Sequence, residues 1–175
     1  VTETGRTHRG GNAIANLAAV TAASSAPTTD LAWAVITPWR QLLNGSLRGE
    51  ALLRVRVGAP RVRVTGPVGT PSLEALLLAG WLRDVIGTHT TVEFAEQRGD
   101  EDVLAVEIFD GPNLLIELRR DGPTTVLLTC PVCPQRSLPL VVAKRRELIA
   151  GELELRGRDA TFERALTCAT TFTAG

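Results

Sequence analysis

The chain has no methionine, no tyrosine and a single lysine, Lys144, and among its 175 residues there are two histidines, three cysteines and no net charge. Each shortage excludes something. Two histidines leave little material for a catalytic triad or a histidine-ligated metal. His8 lies near the N-terminus and His89 in the turn sequence Gly87-Thr88-His89-Thr90, so both read as surface residues. Nineteen basic residues cancel nineteen acidic ones. A neutral domain has no long-range field to gather a phosphate backbone or an anionic bilayer, so no nucleic acid and no membrane is expected as partner. No apolar run reaches the length that spans a bilayer. The odd cysteine count points to a reducing compartment, and the cytoplasm is the expected location. Neither G-x-G-x-x-G nor G-x-x-x-x-G-K-[ST] occurs, so no phosphate cradle is in place. With no methionine and Val1 first, the chain reads as a piece of a longer product or as one that has lost its initiator.

What is present is enough for one domain with a core: 44% hydrophobic and 22% charged residues. Residues 1–28 read as a flexible tail or interdomain linker, with a short helix around Ile14 to Val20. Residues 29–175 read as an α+β domain. Thr29 and Asp30 can cap a helix in which Leu31, Val35, Trp39 and Leu42 share a stripe too apolar to face water. Pro38 predicts a kink or two short helices there. Leu52–Val57 and Arg61–Val64 alternate valine with arginine and read as strands. Thr70 and Pro71 open, and Gly87 closes, a largely buried helix carrying Leu73, Leu77, Trp81 and Val85, with Gly80 predicting close approach of another element. Strands at Thr91–Gln97, Val103–Phe109, Asn113–Arg120 and Thr124–Cys130 read as an antiparallel meander, followed by a strand at Arg136–Ala143. Helices are predicted over Arg145–Leu155 and after Asp159. The sum is an antiparallel sheet of about five to six strands with helices packed on one face.

Candidate chemistry is sparse. Cys130-Pro131-Val132-Cys133 has redox or metal spacing, but a zinc site wants a second ligand pair. A redox pair, an intermolecular zinc or no function at all fits it. Glu101 and Asp102 fall in a turn and read as solvated. No catalytic constellation emerges, so the chain reads as a non-enzyme. Trp81 reads as core. At least one of Trp33 and Trp39 reads as an interface anchor, with Arg40 beside them, because Trp and Arg are enriched where proteins bind one another. The alternative is a sugar-phosphate enzyme or ligand-binding domain that clamps phosphate with the arginines of the Arg54–Arg63 strands.

The segment Asp30-Leu31-Ala32-Trp33, followed by Ile36-Thr37 and Trp39-Arg40, resembles the "DLAW..IT.WR.LL" stretch of the glucose-6-phosphate dehydrogenase assembly proteins, the OpcA family of actinobacteria and cyanobacteria. Ala79-Gly80-Trp81-Leu82 resembles that family's "LAGWLASR" helix. The order of later segments agrees, and the likeness covers about residues 29–169, the family's C-terminal region. Pro38 stands where an aromatic residue is expected, and the Cys130/Cys133 pair is foreign to the actinobacterial members. The resemblance implies a non-catalytic partner of glucose-6-phosphate dehydrogenase that aids its assembly or raises its activity. It thereby implies an effect on NADPH supply through the oxidative pentose phosphate pathway. It also implies an upstream domain in the full-length chain, and neither metal nor cofactor on this one.

Overall fold

A computed structural model describes residues 10–131, 133–141, 143, 146–148 and 157–172. The chain runs through α1 (Gly10–Ala23), α2 (Leu31–Val35), α3 (Thr37–Ser46), α4 (Glu50–Val57) and β1 (Pro60–Gly66). It continues through α5 (Leu73–Ile86), β2 (Thr91–Glu96), β3 (Ala105–Asp110), β4 (Asn113–Arg120), β5 (Thr125–Cys130), β6 (Cys133–Pro139) and α6 (Ala160–Thr170). The strands form one six-stranded sheet in the order β2-β1-β3-β4-β5-β6, so β2 and β6 are its edges. Helices on one face and a mostly antiparallel sheet make the α+β class expected from the sequence.

α5 is the middle layer. Val62, Val64, Val106, Ile108 and Leu118 point from the sheet toward the helices and are fully buried. On α5, every residue from Leu73 to Leu82 is buried, so no side of its first ten residues meets bulk water. The reason is a third layer: α6 and α1 pack against it, burying Phe162, Ala165, Leu166 and Ala169 from one and Ala13, Ile14 and Leu17 from the other. Gly80 is where α6 crosses: a Cβ there would overlap the Ala165 carbonyl oxygen and stand 2.9 Å from the Ala169 Cβ. Ser72, not Thr70, is the N-cap of α5, accepting from the Ala75 amide at 3.1 Å.

Three expectations are corrected. Residues 10–23 form a helix whose apolar side belongs to the core, so the tail reading fails over α1. Its small residues hid the stripe, because the exposed side of the helix carries Ala15, Ala19 and Val20, which are apolar as well. Residues 50–57 are helical, not extended. A strand would place Val55 and Val57 on one face, yet Val55 is 0% and Val57 86% exposed. Gly49, at φ +56°, redirects the chain into α4. Glu50 in its first turn and Arg54 and Arg56 in its last suit the helix dipole. Finally, β2 is not part of a meander. It lies parallel to β1, outside it, after the α5 crossover, and β1 inserts between β2 and β3. The sheet is therefore mixed.

Other expectations hold. Pro38 sits in the first turn of α3, and the segment breaks into α2 and α3 at Ile36. β1 alternates as read, with Arg61 and Arg63 on the face away from α5. Asp159 caps α6 through the Thr161 and Phe162 amides. The sixth strand is β6, which begins and ends earlier than expected. The helix expected over Arg145–Leu155 lies outside the described residues except for the helical 146–148.

Candidate functional site

The tryptophans that begin the family-like segment are inside the molecule. Trp33 is 2% and Trp39 3% exposed. The Trp33 indole Nε1 donates to Asp159 Oδ2 at 2.8 Å, which ties α2 to the start of α6. Its ring lies 5.6 Å from that of Phe162, and the Arg40 guanidinium stacks over it at 3.6 Å. Arg40 is half-buried, and its Nη2 donates to Thr37 Oγ1 at 2.7 Å. Of the three residues read as a partner surface, Trp33 and Arg40 are stacked together, and neither Trp33 nor Trp39 offers an indole face to solvent. What that segment exposes is Val35, at 39%. Tryptophan can be enriched at interfaces and equally fill a core, and in a chain with so few aromatic residues the core claims it.

Beneath Trp39 lies a cavity of about 50 Å³ lined by Val35, Pro38, Trp39, Glu74, Asp102 and Arg120, among others. Glu74, in the first turn of α5, is only 7% exposed, and its Oε2 has no hydrogen-bond partner among the described residues. Burial, with the neighbouring charge of Asp102, pushes its pKa from 4.5 up to about 7, against the opposing pull of nearby hydrogen-bond donors. Arg120, at the end of β4, pairs with Glu101 at 3.4 Å, and both residues line the cavity. The Ser72 hydroxyl donates to the Asp102 carbonyl at 3.3 Å and so fixes the β2–β3 connection to the start of α5. Glu101 and Asp102 are therefore engaged with the body of the protein, and not merely solvated turn residues.

The Glu74 shift has a stability consequence. The folded state holds this proton up to about pH 7, whereas the unfolded chain releases it near 4.5. Between those values the folded state binds more protons, so Glu74 lowers stability progressively as pH rises, and the cost is complete above about 7. Glu74→Gln is expected to be more stable than the wild type at pH 8. The gain should shrink as pH falls and vanish below 4.5, as measured by urea unfolding at each pH.

The arginines do not make a phosphate clamp. Arg54 and Arg56 are on α4, and Arg56 is spent on the Val85 carbonyl. Arg61 and Arg63 lie on the open sheet face, paired with Glu93 at 3.3 and 3.2 Å, and Arg63 also with Glu107 at 3.5 Å. Desolvation raises the Glu93 pKa, but the hydrogen bonds and charges of both arginines outweigh it and hold the carboxyl below its usual range. The guanidiniums also cover Phe109, with Arg61 4.2 Å from its centroid. This is a solvated, charge-paired face.

Cys130 and Cys133 form a disulfide across the β5–β6 turn, where they also pair in the sheet register. The loop they close is short, so the chain-entropy contribution is about 2 kcal/mol. Replacing both by serine is expected to lower stability by about 1–2 kcal/mol, with reducing agent lowering the wild-type melting temperature and leaving the variant's unchanged. Cys168 is partly buried; burial and the Asp84 charge push its thiol pKa up, which disfavours the thiolate. Beside the disulfide, α3, α4 and β4 border an open groove of about 1010 Å³ whose lining includes Ala51, Arg54, Leu114 and Leu115. His89 is exposed on its turn, and His8 lies outside the described residues. Among the described residues no group of three or more His, Cys, Asp or Glu is placed to hold a metal ion, and no helix is long and apolar enough to cross a membrane.

A layered α+β domain with a charge-paired open sheet face, a buried indole segment and one acid-lined cavity is the class these features define. Residues 26–166 match the family described as the C-terminal domain of the glucose-6-phosphate dehydrogenase subunit, and the chain belongs to that family. A comparison with curated proteins finds no match. Glu74 and Arg120 were not singled out by sequence reasoning. A signal existed: Glu74 begins the i, i+4, i+8 row completed by Leu78 and Leu82, which places a carboxylate on a buried stripe.

Proposed function

We propose that this domain binds glucose-6-phosphate dehydrogenase and favours its active form, without catalysing a reaction of its own. The observation that carries this reading is the family match over residues 26–166. The charge-paired arginines support it by leaving the sugar-phosphate alternative without a clamp. On this reading the chain works in the cytoplasm, within the oxidative pentose phosphate pathway of an actinobacterium, and serves NADPH supply beside an upstream domain of the same full-length product. Activation requires that the domain bind the active form of the dehydrogenase more tightly than the inactive form. The α2–α3 segment is the working region, with Trp33 and Trp39 shaping it from within and Arg40 and Val35 at its outer side.

The test mixes the purified chain with the dehydrogenase. Co-elution in size-exclusion chromatography and faster NADPH formation are the expected results. Separate elution with an unchanged rate, both for this chain and for the full-length product, would overturn the reading.

A further inference from the structure

We propose that the cavity beneath Trp39 is a receptor for the side-chain ammonium of a lysine on the bound partner protein, with the Glu74 carboxylate as its acceptor. The inference rests on the reading that the domain binds the dehydrogenase, and it names what the binding surface takes hold of. Four observations carry it. Glu74 is more than nine-tenths buried, it lines the cavity, and its Oε2 has no hydrogen-bond partner among the described residues. A buried acceptor left unmet costs stability, so the position is one where an incoming donor would be rewarded. The charges around it favour a cation. Asp102 approaches from the β2–β3 connection and Asp30 from the N-cap of α2, while Glu101 and Arg120, which also line the cavity, pair with one another and offset each other's charge.

The walls suit a lysine stem. Val35, Pro38, Trp39, Val103 and Leu140 are apolar and line the cavity. Methylene groups pack on such surface while the charged head goes to the carboxylate, and an indole nearby adds a cation–π attraction. About 50 Å³ holds a compact ammonium more readily than a planar guanidinium. The location agrees with the rest: Val35, Pro38 and Trp39, which line the cavity, belong to the segment that carries the family-like sequence. An ammonium binds the ionised carboxylate, so binding releases the Glu74 proton. Affinity should therefore rise between pH 6 and pH 8, through the titration near about 7.

Two arms test the proposal. In the first, the Glu74 carboxyl carbon of the wild-type chain is titrated by NMR with n-butylammonium chloride, against tetramethylammonium chloride at equal ionic strength. The expected result is a midpoint lowered by at least about one pH unit by butylammonium and not by the bulky ion, which has no N–H. Equal effects of the two salts, or none, would overturn the receptor. In the second, affinity for the dehydrogenase is measured by calorimetry for the wild type and Glu74→Gln at pH 8. The variant is expected to bind at least about tenfold more weakly while unfolding at the same or higher urea concentration. Unchanged affinity beside a positive first arm would remove the partner's lysine as the occupant. A wild type that binds no dehydrogenase sinks the functional reading, and the first arm still decides the cavity.

Discussion

Gly80→Ala is expected to cost about 3 kcal/mol or more of folding stability, although alanine is the better helix former by about 1 kcal/mol. The two effects oppose one another, and their magnitudes decide the sign. A Cβ at residue 80 would overlap the Ala165 carbonyl oxygen and stand 2.9 Å from both the Ala169 Cβ and its amide nitrogen. Backbone of a packed helix cannot step aside as the end of a flexible side chain can. α6 would have to lift from α5, and with it the contacts of Phe162 and Leu166, both buried. Urea unfolding of the variant measures the loss. A stability equal to or above that of the wild type would show that α6 does not cross α5 at this residue. The matching control is Gly45→Ala, in an exposed turn of α3 with nothing within 4 Å of the added Cβ. It should be neutral or slightly stabilising.

The second large effect belongs to Trp33. Trp33→Ala should cost about 3–5 kcal/mol, the range for emptying a core aromatic site. The indole does two things that can be separated. It fills space against Phe162, and it donates to Asp159, the residue that caps α6. Trp33→Phe keeps much of the volume and loses the donor, and about 2 kcal/mol is expected for it. A double-mutant cycle with Asp159→Ala isolates the hydrogen bond, because Asp159→Ala alone also removes the cap. A coupling of about 1 kcal/mol or more is expected. Zero coupling would mean that the bond between α2 and α6 contributes nothing beyond packing. Arg40, stacked on the same ring, should lose its ordering in Trp33→Ala, visible as a change in its side-chain NMR signals.

Much of this arrangement could be read in the sequence, and the reasons for the rest are physical. Helix α5 was legible because its apolar content exceeds what one buried stripe needs, and Gly80 because glycine in a helix calls for a neighbour. Pro38 announced the break between α2 and α3. α4 looks like a strand in the sequence because four alternating residues, Arg54 to Val57, satisfy a period of two without excluding 3.6. Only burial separates the two valines. The place of β2 was hidden for a different reason. Local turn chemistry says that a chain reverses, not which strand it then joins, and β1 reached the gap between β2 and β3 through contacts distant in sequence. At the candidate site, residue type identified Trp33, Trp39 and Arg40 as noteworthy, but not which way they face. Glu74 passed unremarked because a glutamate in a first helical turn is usually a solvated partner of the dipole. Here the packing around the start of α5 leaves it only 7% exposed, at the small cavity beneath Trp39.

The six-stranded sheet also has a bearing on solubility during synthesis and storage. A bare margin of unpaired amides and carbonyls invites another molecule to add its own strand, the first step toward fibres. β6 forms one margin, and it carries Pro134, Arg136 and Pro139 within seven residues. Each proline withholds a donor that a docking strand would need, and the arginine brings a charge that a stack of identical copies would have to place side by side. That border is poorly suited to templating self-association, so the molecule can leave its sheet open without seeding aggregates from that side.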